Sequence, residues 1–520
     1  MHHCLNVDEI VRLLACDLAA SGAKATAVAL ACCSKSFETP VLDMLWETQD
    51  RLTPLLKCLP QEIWKEEGGI FVSHVIVLGA LSAPDHLYRK SFQRIPTKAE
   101  WADFRKHTRR MKELKVDTSK DPVTLEILLA LQFRTADEPF LPRLKTFNCQ
   151  KPAEAFIPFI PFFLSPKMMK IGIAFAPDSR TVVIASTISR ISRLCSDLEC
   201  INLQGLARDP VVIEAVSEIL LVSNRDSLRQ FLVDSPLTEE AREVVYKLPK
   251  LSDLSAVILG RTMLPPVALP NLVSIDIEYD DSLDWLQGFR GATLEKLESV
   301  WVYSKCEQIG DFIGAFESAV VTASAHKTLS LFTFSTSRPW DPNYSSLLSF
   351  KQLETLQIEF SCDGGCSSKV DDDVITTLPQ AMPKLKHLKL GRAPCRTTTG
   401  ATVNGLIDVA SRCPQLSELR IHFQVGSLIA ATSSAAKVPP PDDEPAIQRK
   451  VCALRVLEVG ETPIPVQSAS TVALFLLQVF PRLRDIKYTH SGWRPAAETV
   501  KNFRQFDAFV RRTGKARGRM

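Results

Sequence analysis

One spacing recurs along most of this 520-residue chain: an apolar residue, two variable positions, a second apolar residue, one variable position, a third apolar residue. Clear copies are Leu272/Ile275/Ile277, Leu353/Leu356/Ile358, Leu385/Leu388/Leu390, Leu416/Leu419/Ile421 and Leu454/Leu457/Val459. Looser copies are Leu198/Ile201/Leu203, Leu228/Phe231/Val233, Leu297/Val300/Val302, Leu329/Phe332/Phe334 and Leu483/Ile486/Tyr488. The weakest are Met111/Leu114/Val116, Leu144/Phe147/Cys149, Met168/Ile171/Ile173 and a unit starting at Leu251/Leu254. The last two anchors of each copy alternate, as a short half-buried strand requires.

Helical periodicity precedes many of these strands. Val403, Leu406, Ile407 and Ala410 fall on one helical face, as do Val472, Phe475, Leu476 and Val479, and Val374, Leu378 and Met382. Pro142, Pro249, Pro270, Pro383, Pro414 and Pro481 each stand two residues before the first anchor of a unit. Proline cannot continue a helix and forces its predecessor out of the helical region, so it separates helix from strand. A lone unit of this kind cannot bury its helix face, whereas stacked units bury a continuous core. The mean spacing of about 29 residues lies at the upper end of the leucine-rich-repeat range. The expected fold is α/β: a leucine-rich-repeat-like solenoid, with a curved parallel sheet lined by the strands and helices outside. A doubly wound α/β domain is the alternative, but it calls for longer apolar strands and a glycine-rich first turn. The consensus Asn or Cys of the repeat loop is mostly missing, so the copies are degenerate.

Composition narrows the class. With 45% hydrophobic and 23% charged residues the chain is neither disordered nor collagenous. A net charge of +3 gives no global field pointing to nucleic acid or to an anionic membrane. The 14 cysteines show no framework spacing, and the start lacks a basic region followed by an apolar one, so reduced thiols in a cytoplasmic protein are expected. Pro158 and Pro161 interrupt Phe156–Leu164, and Val472–Phe480 is short, so no membrane helix is expected.

The first fifty residues have another texture. Ile10, Val11, Leu14 and Leu18 make one helical face, Ala27–Ala31 a compact apolar stretch, and Leu42, Leu45 and Trp46 a third cluster. Ser21, Gly22, Ala23 and Pro40 separate the clusters, which predicts three short helices. Such a module is small and gains stability by docking. The segment Leu5–Leu14 resembles the opening of an F-box, Leu30–Phe37 its central motif and Leu45-Trp46 its closing pair. Asn6 stands where that family usually has proline, and Phe37 where it usually has tryptophan. Followed by a repeat array, the chain resembles fungal F-box/leucine-rich-repeat proteins of the mushroom-forming lineage, with Ala29–Phe37, Pro40–Leu42 and Leu45–Glu47 especially typical.

The resemblance implies a substrate-recognition subunit of an SCF-type cullin-RING ubiquitin ligase: a non-catalytic protein that binds a Skp-type adaptor, and through it a cullin, while its repeats hold a protein substrate on the concave face. By motif match the adaptor contact falls on Leu5, Ile10, Leu14, Leu30, Cys33, Phe37, Leu42, Leu45 and Trp46. The alternative, kept open by Asn6 and Phe37, is a repeat scaffold without ligase association. The expected organisation is an F-box-like domain at 1–50, a helical connector at 51–105 with Trp64 and Trp101 as packing anchors, and the array at 106–490. A disordered insertion at about 433–450 interrupts the array, and a helix with a basic tail occupies 491–520.

Chemistry-bearing motifs are few. Cys362 and Cys366 have thiolates at a spacing that could share zinc, but no second Cys/His pair stands at finger spacing, and an inter-repeat loop is the expected role. Asp371, Asp372 and Asp373 precede a helical face and are expected to cap it. No P-loop, G-x-S-x-G or H-E-x-x-H is present, so no catalytic residue, metal site or cofactor is expected. Glu359, Lys389, Arg420, His422 and Glu458 fall between strand anchors and would face the concave side. Arg511, Arg512, Lys515, Arg517 and Arg519 form a basic C-terminal stretch, a candidate nuclear-localisation signal.

Overall fold

The computed structural model describes residues 8–67, 89–92, 94, 96–118, 123, 125–134, 139–222, 226–258, 267–280, 283–290, 292–306, 311–338, 343–360, 370–391, 401–421, 423–424, 426, 429, 452–460 and 462–517. It is an α/β fold with a long parallel sheet flanked by helices. The chain divides into two compact units, Met1–Leu251 and Ser252–Met520.

The first unit begins with three helices, α1 (Asp8–Ala20), α2 (Lys24–Cys33) and α3 (Lys35–Glu47). Gly22, at φ +76°, ends α1: the Ala23 amide reaches back to the Leu18 carbonyl at 2.8 Å, the closing bond of a Schellman motif. Ser34 separates α2 from α3. Its extended backbone breaks the helix and its hydroxyl accepts from the Ser36 amide. Pro40, read from sequence as a separator, lies inside α3 and is buried, because the Ser34 cap already supplies the break.

The strand β1 (Thr48–Gln49) follows, then a short α4 (Thr53–Leu56) and an antiparallel pair, β2 (Trp64–Glu67) with β3 (Arg89–Phe92). That pair lies within the stretch 51–105 expected to be helical, which also holds most of α5 (Lys98–Thr108). From there strands and helices alternate: β4 (Glu113–Asp117), α6 (Leu125–Arg134), β5 (Thr146–Gln150), α7 (Ile160–Phe163), β6 (Lys170–Ala174), α8 (Thr181–Leu194), β7 (Cys200–Gln204), α9 (Pro210–Leu221), β8 (Gln230–Pro236) and α10 (Glu239–Val245). Within this unit β1, β4, β5, β6, β7 and β8 lie side by side in that order, all parallel.

The second unit continues the pattern with β9 (Asp253–Ile258), β10 (Ser274–Tyr279), β11 (Ser299–Ser304), α11 (Phe312–Thr322), β12 (Leu331–Thr336), β13 (Thr355–Phe360), α12 (Asp372–Ala381), β14 (His387–Leu390), α13 (Val403–Arg412), β15 (Glu418–Arg420), β16 (Val456–Gly460), α14 (Val466–Val479), β17 (Asp485–Tyr488) and α15 (Arg494–Arg517). Strands β9 to β17 pair in sequence order, all parallel. Short 3-10 segments, Asp284–Phe289 and Tyr344–Ser349, replace a helix where two strands are joined by few residues. The basic C-terminal residues from Arg511 to Arg517 continue α15. No helix among the described residues is long and apolar enough to cross a membrane.

Register explains why the sequence pattern was so regular. In the second unit Leu254, Ile275, Val300, Phe332, Leu356, Leu388, Leu419, Leu457 and Ile486 pair in turn across nine strands. In the first, Leu114, Phe147, Ile171, Ile201 and Phe231 do the same. These side chains and the fourteen first anchors, from Met111 to Leu483, are all at most 3% exposed. Burying each contributes roughly 1.5–3 kcal/mol.

The prolines have a sharper role than a helix stop. In each of the six units the first-anchor amide donates to the carbonyl three residues earlier, as in Leu144 to Leu141 at 3.1 Å and Leu483 to Phe480 at 2.9 Å. Proline is therefore at the second position of a β-turn, where its fixed φ is already correct. Pro166 plays the same part before Met168, whose amide donates to Ser165 at 3.0 Å. Past the turn, one carbonyl of the preceding unit takes two successive amides: Glu354 receives Lys386 and His387, and Lys386 receives Ser417 and Glu418.

Two expected helical faces rotate slightly. In α13 the buried residues are Val403, Gly405, Leu406 and Val409, leaving Ile407 41% exposed. In α12 Ile375 and Leu378 are buried, while Val374 is only partly covered. The insertion at 433–450, Cys362 with Cys366, and His422 lie outside the described residues.

Candidate functional site

Two surfaces merit a functional reading. The first is the N-terminal helical module. Val11 and Ala15 of α1, Ala27 and Ala31 of α2, and Phe37 and Val41 of α3 form its core, with Leu18, Leu30, Met44 and Leu45 packed against them. The nine residues nominated from sequence divide accordingly. Phe37 is in this core, and Leu30 and Leu45 pack on it. Ile10 and Leu42 are half-buried, Leu14 is 43% exposed, and Cys33 is exposed with its thiol donating to the Ala29 carbonyl at 3.2 Å. Leu5 lies outside the described residues.

Trp46 packs within the chain. Its ring meets that of His107 on α5 at 4.6 Å between centroids. Burial, with Arg110 nearby, holds the His107 imidazole below its usual pKa. Around it, Arg110 pairs with Asp43 at 2.8 Å, Lys112 with Glu47 at 3.0 Å, and β1 pairs with β4. The end of α3 is thus tied to the first repeat strand by backbone and by charge. Sequence reasoning passed over two exposed apolar residues on this module, Leu13 (66%) and Val28 (50%). The signal was there, since both lie off the buried stripe defined by Val11, Ala15 and Ala27, Ala31.

The second surface is the face of the sheet turned away from the helices. Strand positions between the buried anchors carry polar side chains here. Across β13 to β17 they carry charges of both signs, paired in two neighbouring clusters. Arg420 lies between Glu359, with which it pairs closely, and Glu458 at 3.6 Å. Glu418 takes Lys389 at 3.2 Å, Lys487 at 3.3 Å and His387 Nδ1 at 3.3 Å. Burial opposes the Glu418 charge, but the two lysines outweigh it and hold its carboxyl below the usual range. Of the five residues that sequence placed on this side, Glu359, Arg420 and Glu458 are brought into one ion-pair cluster, and Lys389 into the neighbouring one on Glu418. Arg420 is 11% exposed, and its Nε has no hydrogen-bond partner among the described residues.

On β10 and β11 the same face changes character. Trp301, 37% exposed, and Tyr303 stand beside Asp276 and Glu278 in the pairing register. Burial, and Glu278 close by, push the Asp276 carboxyl above its ordinary range.

Other nominated chemistry resolves into structure. Asp371 caps α12, accepting from the Val374 amide at 3.1 Å, while Asp372 accepts from the Thr402 amide at 2.6 Å and so links α12 to the start of α13. Buried thiols are poor nucleophiles here: burial pushes Cys149 and Cys413 each up to about 12. Among the described residues no three His, Cys, Asp or Glu side chains are grouped to hold a metal ion.

No family model matches the sequence, and no curated protein matches it. Among solved structures, 74% of the chain is similar to 78% of a chain from the crystal structure of the Rad7 and Elc1 complex in yeast, at 10% identity and a TM-score of 0.33.

Proposed function

We propose that this protein is a non-catalytic substrate receptor of an SCF-type cullin-RING ubiquitin ligase. On this reading α1–α3 form an F-box-like module that binds a Skp-type adaptor. The leucine-rich-repeat-like array presents a protein substrate on its helix-free face. The observation that carries the reading is the exposed apolar set Leu13, Leu14 and Val28, on a three-helix module tied to the first repeat strand. A receptor of this kind works by raising the local concentration of a substrate lysine near the conjugating enzyme, and a helical module fixed to the first repeat strand serves that purpose. The protein would act in the cytoplasm, with the basic end of α15 as a candidate nuclear address.

A second reading, an interaction scaffold without a ligase, is favoured by the inward use of Phe37 and Leu45 and by the packing of Trp46 on His107. Copurification of the full-length protein with the host Skp adaptor and cullin separates the two. A Leu13→Asp, Leu14→Asp variant, altered at exposed sites that leave the module core intact, is the control. Association of the wild type and its loss in the variant support the receptor. A folded wild type that brings down neither adaptor nor cullin leaves the scaffold.

A further inference from the structure

The sheet face of β10 and β11 holds the same arrangement twice. In register, Glu278 stands opposite Tyr303, and one step earlier along the strands Asp276 stands opposite Trp301. Neighbouring strands lie about 4.8 Å apart, so each carboxylate is beside an aromatic ring on the same face. The Glu278–Tyr303 pair receives a cation from the chain itself. Lys305 Nζ pairs with Glu278 and lies 5.7 Å from the centre of the Tyr303 ring. The Asp276–Trp301 pair has the better ring for a cation. Among the described residues, no lysine, arginine or histidine pairs with Asp276.

We propose that the Asp276–Trp301 pair binds the guanidinium of an arginine in an extended segment of a protein partner. The inference rests on the reading of the helix-free face as the protein-binding surface, and it names what that surface takes. Three features argue for this occupant. Charge is complementary: Asp276 and Glu278 stand together on β10, and Lys305 compensates only Glu278. Shape is complementary: a planar guanidinium stacks on an exposed indole while its N–H fork meets a carboxylate, which a compact ammonium does less well. The surroundings suit an extended chain. Ser255, Asp276, Trp301, Thr333 and Gln357 form one register row across β9 to β13, small or polar except for the indole. At ~4.8 Å per strand the row spans about six extended residues. An arriving guanidinium would give Asp276 the ion pair that Lys305 already gives Glu278.

The test uses the full-length protein and a fluorescein-labelled peptide with arginine at alternate positions in a Gly/Thr background. The same peptide with citrulline in place of arginine, isosteric but uncharged, is the control, and anisotropy gives Kd. Expected are binding of the arginine peptide, at least tenfold weaker binding of the citrulline peptide, and a roughly tenfold loss in both Trp301→Ala and Asp276→Asn. Both positions lie on the open face, and circular dichroism verifies folding. Asp276→Asn keeps shape and size, so its loss of binding is not a packing effect. Equal binding of the two peptides, no binding by the wild type, or unchanged affinity in Asp276→Asn overturns the proposal. The Leu13→Asp, Leu14→Asp variant is expected to bind the peptide like wild type. Failure of adaptor association therefore leaves this result standing, and failure here leaves the adaptor test untouched.

Discussion

Replacing Gly205 by alanine tests whether the close fit between successive repeat units is as tight as the backbone implies. Gly205 follows β7 at φ +73°, and a Cβ there would lie 2.2 Å from the Phe175 carbonyl oxygen and 3.0 Å from its carbon. The left-handed conformation alone costs alanine about 1 kcal/mol. The clash requires backbone movement at Phe175, whose amide donates to Gln204 at 2.8 Å, and it disturbs the Gly205 amide on the Asp234 carboxylate at 2.6 Å. Weakening one neutral and one charge-assisted hydrogen bond adds about 2 kcal/mol, for a total of about 3 kcal/mol. Local opening at β6–β8 should then speed amide exchange about 150-fold, read by hydrogen-exchange mass spectrometry. Gly22→Ala is the matched control. Gly22 has nearly the same φ, +76°, but among the described residues, its two chain neighbours aside, no atom lies within 4 Å of the added Cβ. It should cost about 1 kcal/mol, or roughly fivefold faster exchange at the end of α1. Gly205→Ala exchanging no faster than its control would refute the reasoning, because conformation rather than contact would then account for both. The left-handed φ of +44° at Lys151, after β5, already shows that the conformation alone is tolerated.

Arg420→Met should loosen β13–β16 by about 1–3 kcal/mol, since it leaves Glu359 and Glu458, each no more than 22% exposed, without their shared cation. Adding Glu359→Gln and Glu458→Gln should restore most of the loss, and exchange of the β15 amides checks both steps. The Glu100 carboxylate accepts from Arg94 and from the Thr97 amide, which hold its pKa at about 2 against an ordinary 4.5. Its stabilising effect on the start of α5 is therefore fully present above pH 4.5 and lost as the pH falls through about 2. NMR titration of the carboxyl carbon reads this directly, and a midpoint near 4.5 would contradict it.

The sheet was legible because its repeat is set by residues close in sequence: a turn, a buried anchor and two alternating apolar positions. Each of the fourteen anchored copies became one strand, from β4 to β17. The additional strands were not legible for definite reasons. β1 has two residues, too few to show alternation, and Trp-Lys-Glu-Glu with Arg-Lys-Ser-Phe in β2 and β3 is charged rather than amphipathic. Pro40 misled because proline signals a break only where no cap has already made one. The helical module was legible as three helices but not by face, since Phe37 and Leu45 serve its interior while Leu13 and Val28 do not. The Glu359–Arg420 contact joins residues 61 apart in sequence, and only the strand register brings them together.

The turn, the anchor and the twice-used carbonyl are all backbone or core features, and none draws on the side chains of the helix-free face. That separation gives the fold a practical freedom. Positions such as Ser255, Thr333 and Gln357 can be varied together without asking the chain to find a new register. A combinatorial library confined to these positions should express as folded protein, so that selection acts on recognition alone. The same freedom, exercised over generations, would let the chemistry of this face drift while the architecture is retained.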